Sequence, residues 1–248
     1  MIEYPYLTEE AIDRAAAALL QRAFGGPWRE RRPVDLEDLV YEYLSPEEGL
    51  SFNDEAELLP EDGETVLGKT VPVRSQILLN RVLKGDADPG RMRFTLGHEI
   101  GHWVLHRRVV LEAIRVRREV GADLFGEAPP TAEEFAFVGL NRTTFPRSCA
   151  PGAVRREEWQ ANRFAAALLV DSVVLREEFE ARFGPPPVAR ATQTWRYRAA
   201  SVRDLAQLLA RSLVGVQCPL REVFGLSAEA MAIALESRGY VTESAPAI

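Results

Sequence analysis

Hydrophobic and polar positions follow different rhythms along this chain, and each rhythm predicts a different element. From residue 7 to 24, Ala11, Ala15, Leu19 and Ala23 recur on a helical period, with Thr8 placed to cap the start and Gly25-Gly26 to end it. Asp35 can cap a second helix to about Leu44, where Ser45-Pro46 is expected to stop it. Between residues 49 and 80 the helical period is lost. Gly63, Gly68 and Pro72 cut this stretch into four short apolar pieces, Leu50–Phe52, Thr65–Leu67, Val71–Val73 and Ile77–Leu79, which predict a small antiparallel sheet. The last of these, Ser75 to Asn80, is expected to offer an edge with which an extended peptide can pair, through Ile77, Leu78 and Asn80.

The helical rhythm returns after Asp88 and Pro89, an N-cap and first helical position, and predicts one helix to about residue 106. Val109–Val120 can form another helix. Thr131 and Glu134 make a capping box for a short helix to about Leu140, and residues 141 to 152 read as loop. From Arg155 to about Val170 the apolar positions Ala161, Phe164, Ala165, Leu168 and Leu169 form one stripe, with alanines small enough for a close helix neighbour. After Pro185-Pro186-Pro187 three helices are predicted, at about 201–214, 218–224 and 227–238. The last two resemble a helix-turn-helix, with Gly225 in the turn and Ser227 as N-cap.

Composition narrows the class. The chain has 248 residues, 46% hydrophobic and 27% charged, which suits one large domain or a domain with an appendage. No apolar run is long enough to span a membrane, and no secretory signal opens the chain. Cys149 and Cys218 form no paired motif, so free thiols in the cytoplasm are expected. The net charge of −7 opposes nonspecific nucleic-acid binding. It is unevenly spread: residues 47 to 64 hold eight acids and no base, and residues 188 to 221 hold six arginines against Asp204. Both runs read first as solvated faces. The would-be reading helix offers Glu229, Ala230, Ala232 and Ile233, poor partners for phosphates or base edges, so direct DNA binding is not expected.

The chemistry concentrates in His98-Glu99-Ile100-Gly101-His102. On a helix His98 and His102 stand one turn apart, about 6 Å along the axis, on one face. Two imidazoles at that spacing can share one zinc ion. Glu99 points off that line, badly angled as a ligand but able to reach the water such an ion activates and to take its proton as general base. The flanking Phe94, Leu96, Ile100, Val104 and Leu105 make this a core helix, where histidines without a metal need other polar partners.

A catalytic zinc needs a third protein ligand and an open position. The only other histidine, His106, lies two turns beyond His98, about 12 Å along the axis and out of reach of the same ion. A carboxylate must therefore complete the set. Glu157 and Glu158 begin the helix whose apolar face can pack beside the zinc helix, and their phase does not separate them. Asn162, one turn after Glu158, can hold a ligand's free polar atom. Tyr197 and the arginines from Arg190 to Arg203 are further substrate or oxyanion contacts to consider.

Arg93 to His106 together with Glu158, Ala161, Asn162, Phe164 to Ala166, Leu168 and Leu169 resemble the ImmA/IrrE family of zinc metallopeptidases. Pro33 to Leu36, Ile77 and Asn80 match weaker family features, and Ser227 to Gly239 resembles the helical unit that follows the protease core in its radiation-response members. The resemblance implies an α+β fold: a mostly helical zincin-like core over residues 1–184 and a helix-turn-helix-like C-terminal unit over 185–248. It implies one catalytic zinc on His98, His102 and Glu158, with Glu99 as base. It further implies an endopeptidase that cuts a separately encoded helix-turn-helix repressor, derepressing stress-response or mobile-element genes. Two departures stand out. Val170-Asp171 replaces the usual Met-Pro, and Glu158 lies 56 positions after His102, so residues 107–150 read as an insert. The alternatives are a non-proteolytic regulator that binds protein or DNA, and one half of a toxin–antitoxin pair.

Overall fold

Thr8 opens the first helix as its sequence predicts. In the computed structural model, which describes residues 2–61, 63–85, 89–121, 135–140, 155–192, 199–213, 216 and 218–244, its hydroxyl accepts from Ala11 N, and helix α1 runs Glu9–Phe24. Asp35 likewise accepts from Glu37 N and Asp38 N and starts α2, Leu36–Asp38. The expected stop at Ser45-Pro46 does not occur. A wide helical turn over Leu39–Leu44 leads into α3, Ser45–Glu48, and the left-handed Gly49 makes the stop instead. Proline ends a helix by leaving a carbonyl one turn back without its donor, and a wide turn already offsets that bonding pattern.

The sheet is small but mixed. Strands β1 (Ser51–Ala56), β2 (Val66–Val71), β3 (Gln76–Asn80) and β4 (Phe137–Leu140) lie in the order β1-β3-β2-β4. The pairs β2–β3 and β2–β4 are antiparallel, and β1–β3 is parallel. This corrects the expectation of a purely antiparallel sheet. A one-turn reversal at Pro72–Arg74 joins β2 to β3 as an antiparallel hairpin, and β1 pairs with the far side of β3 in the same direction. Val71–Val73 is not a strand of its own, because Pro72 begins that turn.

A second correction concerns β3, which is not an edge. It is paired on both sides, so its backbone groups are already bonded within the sheet. Ile77 is buried, and Leu78 is half-buried on the opposite face. Asn80 is buried too, donating to Leu58 O and Val66 O and accepting from Val82 N. These three residues hold the sheet together and do not present a peptide-binding edge.

Helix α4 spans Pro89–Gly121 without a break, so the two helices expected over 89–106 and 109–120 are one. No glycine or proline lies between His102 and Val120 to interrupt it. The first part of the expected insert is therefore helix, and Phe137–Leu140 is strand, not the end of a capped helix. Thr131, Glu134 and the 141–152 loop lie outside the described residues, as does Asp88.

Helix α5, Arg156–Leu169, packs along α4 with its alanine face. Gly101 makes the approach possible: a Cβ there would stand 3.1 Å from Ala161 Cα and O. Helix α6 (Ser172–Phe183) and strand β5 (Val188–Ala189) follow, then α7 (Val202–Arg211), α8 (Leu220–Val223), α9 (Ala228–Ser237) and β6 (Val241–Thr242), which pairs with β5. Ser227 caps α9, as expected, by accepting from Ala230 N.

The hydrophobic core runs unbroken from Ile12 on α1 to Val241, across the 184–185 boundary. Arg238 ties the two parts, donating to Val170 O and Ala166 O at the end of α5. Ala232 and Ile233 are buried in this core. Arg190 is paired with Glu243, and Arg203 with Glu229 and Glu236. Tyr197 lies outside the described residues. No helix is long and apolar enough to cross a membrane among the described residues.

Candidate metal centre

The close packing of α4 on α5 brings three sequence-predicted residues together. His98 Nε2 and His102 Nε2 are 3.0 Å apart. Glu158 reaches both from the first turn of α5, with Oε2 3.4 Å from His98 Nε2 and Oε1 3.4 Å from His102 Nε2. The three ligand atoms lie within 4.8 Å of one another. Glu157 is not the third member: its carboxylate pairs with Arg155 at 2.8 Å.

The far side of each imidazole is also held. Asn162 Oδ1 lies 3.0 Å from His98 Nδ1, and His106 Nδ1 lies 3.1 Å from His102 Nδ1. An amide oxygen only accepts, so His98 carries a proton on Nδ1 and turns Nε2 towards Glu158. His98 and His102 are fully buried, while the Glu158 side chain keeps 22% exposure.

Glu99 lies apart from this line, as its position on the helix requires. Its carboxylate is fully buried against β2, where Thr70 Oγ1 donates to Oε2 at 2.6 Å. Oε1 has no hydrogen-bond partner among the described residues. A buried carboxylate oxygen without a donor is costly unless a ligand or water meets it.

Electrostatics separate the groups. Burial lifts the Glu99 carboxyl from 4.5 to about 7, against the opposing pull of His98 and Thr70. Burial, reinforced by the neighbouring His98, lowers His102 to about 3. Burial also opposes charge on His98, but Glu158 and Glu99 outweigh it and raise that imidazole. Glu158 is held below the ordinary carboxylate range: burial works against its charge, and the two histidines more than offset it.

This donor set fits a divalent metal ion of the zinc type: two imidazole nitrogens and one carboxylate, with the outer ring nitrogens already engaged. Nitrogen lone pairs facing each other at 3.0 Å need a cation or a shared proton between them. The group can hold a metal; the sequence spacing located His98 and His102, and the family resemblance chose Glu158 over Glu157.

Sequence reasoning missed four neighbours. Thr70 and Gly68 on β2 cradle Glu99. Phe137 on β4 stacks on the His102 ring, with centroids 4.1 Å apart. Tyr4 meets His106 edge-on at 5.2 Å. None has a sequence signal, because each comes from a strand or segment whose placement depends on the whole fold. His106, set aside as a ligand, lies against the far side of His102 instead.

Comparison with models of known protein families and with curated proteins gives no match.

Proposed function

We propose that the chain is a zinc-dependent endopeptidase of the ImmA/IrrE type, with a zincin-like core, a helix-turn-helix-like tail and a helix-turn-helix repressor as substrate. The observation that carries this reading is the pairing of the His98–His102–Glu158 group with a buried Glu99 that has one carboxylate oxygen free. A zinc ion held by His98, His102 and Glu158 would supply Lewis-acid polarisation of a carbonyl and activation of water. Glu99, with its pKa near 7, accepts a proton at neutral pH and returns it to a leaving amine. Thr70 holds Oε2 and leaves Oε1 for that exchange. Among the described residues β4 is the sheet edge on the histidine side, which supports it over β3 as the seat for an extended peptide.

The choice of a repressor substrate draws on the sequence resemblance of the two core motifs. The buried face of α9 and the acid-paired arginines 190 and 203 support a packing role for the tail over DNA reading.

The test has two arms. Metal analysis should find a single zinc in the unmodified chain and in Glu99→Gln, and none in Glu158→Gln. Co-expression with candidate helix-turn-helix repressors should give a cut fragment with the unmodified chain and none with Glu99→Gln. Cleavage that survives Glu99→Gln refutes the assignment. An uncut but tightly bound repressor would move the reading to a non-proteolytic regulator or a toxin–antitoxin partner.

A further inference from the structure

His106 is buried and takes no part in the metal-binding group, yet it stands in the middle of a hydrogen-bond chain. Gln160 Nε2 lies 2.8 Å from Pro5 O. Gln160 Oε1 lies 2.8 Å from His106 Nε2. His106 Nδ1 lies 3.1 Å from His102 Nδ1. His102, His106 and Gln160 are all within 1% of full burial.

The chain has only one consistent polarity, and it starts at the proline carbonyl. That oxygen can only accept, so Gln160 turns its amide nitrogen to it and its amide oxygen to His106. An amide oxygen also only accepts, so His106 carries its proton on Nε2. The rings of Tyr4 and Phe137 lie 5.2 and 5.5 Å from His106 and exclude the water a charged imidazole needs. Neutral His106 then has a bare Nδ1, which accepts from His102 Nδ1. That leaves the His102 Nε2 lone pair facing His98 and Glu158.

We infer that His106 and Gln160 are positioning residues: a one-way relay from the Pro5 carbonyl fixes the His102 tautomer for metal binding and makes the N-terminal segment part of the metal centre. Other contacts seat that segment on the turn that carries Glu158. Arg156 Nη1 donates to Tyr4 O at 2.7 Å, and Tyr6 stacks on Trp159 with rings nearly parallel. The inference rests on the metal-centre reading given above.

Two measurements test it. In the unmodified chain labelled with nitrogen-15 histidine, long-range proton–nitrogen spectra should show His106 as the Nε2–H tautomer; only three histidines need assignment. Zinc competition against a chromophoric chelator should then show His106→Phe and Gln160→Leu each binding about 10-fold to 100-fold more weakly. If the two act as one relay, the double variant should lose no more than the worse single one. Single variants that bind within about 2-fold of the unmodified chain, far inside the range expected of orienting partners, would overturn the relay, as would losses that simply multiply. Should the variants not fold, the tautomer decides alone, and His106 found as Nδ1–H refutes the inference. No zinc bound by the unmodified chain sinks the metal reading and the relay together; zinc bound with the wrong tautomer sinks the relay only.

Discussion

Gly68 and Glu99 meet so closely that any side chain at position 68 must displace the carboxylate: a Cβ built there would stand 2.5 Å from Glu99 Oε1 and 2.9 Å from Cγ. The strand backbone is the wall against which the carboxylate rests. Its φ is not in the left-handed region, so the glycine is required by space and not by backbone conformation.

Gly68→Ala should therefore displace the carboxylate without touching His98, His102 or Glu158. A shift of about 1 Å in a catalytic group costs about 100-fold in rate. On the endopeptidase reading proposed above, cleavage should fall by about that factor while zinc content stays that of the unmodified chain. Loss of zinc in this variant would show that Gly68 supports the ligands and not the base.

Gly101 governs the other close approach. Val in its place would push α5 away from α4, because Ala161 Cα, Ala161 O and Phe164 Cβ all lie within 3.2 Å of the added Cβ position. Gly101→Val should destabilise the metal-free protein by about 1–3 kcal/mol, the ordinary range for overpacking. It should also weaken zinc, since Glu158 rides on the displaced helix. Urea unfolding with and without zinc reads both effects, and a zinc-bound increment equal to that of the unmodified chain would contradict the second.

These relationships mark what the sequence could and could not reveal. The spacing of His98 and His102 fixes their common face on any helix, and the alanine stripe of α5 announces a close neighbour, so the ligand group was legible. The choice between Glu157 and Glu158 was not legible from phase alone; it depends on how α5 is rotated, which places Glu157 beside Arg155. Gly68 and Thr70 sit 31 and 29 positions before Glu99, and no local period connects them to it. The strand order was misjudged for the same reason. Periodicity reports which residues are buried on a strand, while β3 became central through partners, β1 and β2, that its own residues do not specify.

Glu99 should leave a signature in the pH dependence of stability when the protein is metal-free. Its folded-state pKa is raised from 4.5 to about 7 by burial. Between those values the folded chain keeps a proton that the unfolded chain has released, so stability falls as pH rises through the window. The contribution is fully present below about pH 4.5 and lost above about pH 7. Against Glu99→Gln, which cannot titrate, the unmodified chain should lose on the order of 3 kcal/mol across it. Thr70 opposes the rise, so Thr70→Val should extend the window to higher pH. Denaturant midpoints of the three metal-free proteins at several pH values would check both, and parallel curves for the unmodified chain and Glu99→Gln would rule the shift out.

Arg238 is the remaining point of leverage, because it joins the last helix to the end of the one that carries Glu158. Burial lowers its guanidinium to about 10, although Asp13 opposes this, so the charge is retained at neutral pH at a cost in desolvation. What offsets that cost is the bond to Val170 O at 2.8 Å, a carbonyl left over at the C-terminus of α5, and a longer one at 3.3 Å to Ala166 O, which also accepts from Val170 N. Arg238→Met removes the charge and both donors together, leaving Val170 O unsatisfied in a buried place, while Ala166 O keeps its bond from Val170 N. We expect a loss of about 1–3 kcal/mol, the cost of one orphaned buried acceptor. Arg238→Lys should recover little, because an ammonium cannot span two carbonyls in the geometry of a planar fork. If Lys restored full stability in urea unfolding, the fork would be irrelevant and the charge alone would be holding the tail in place.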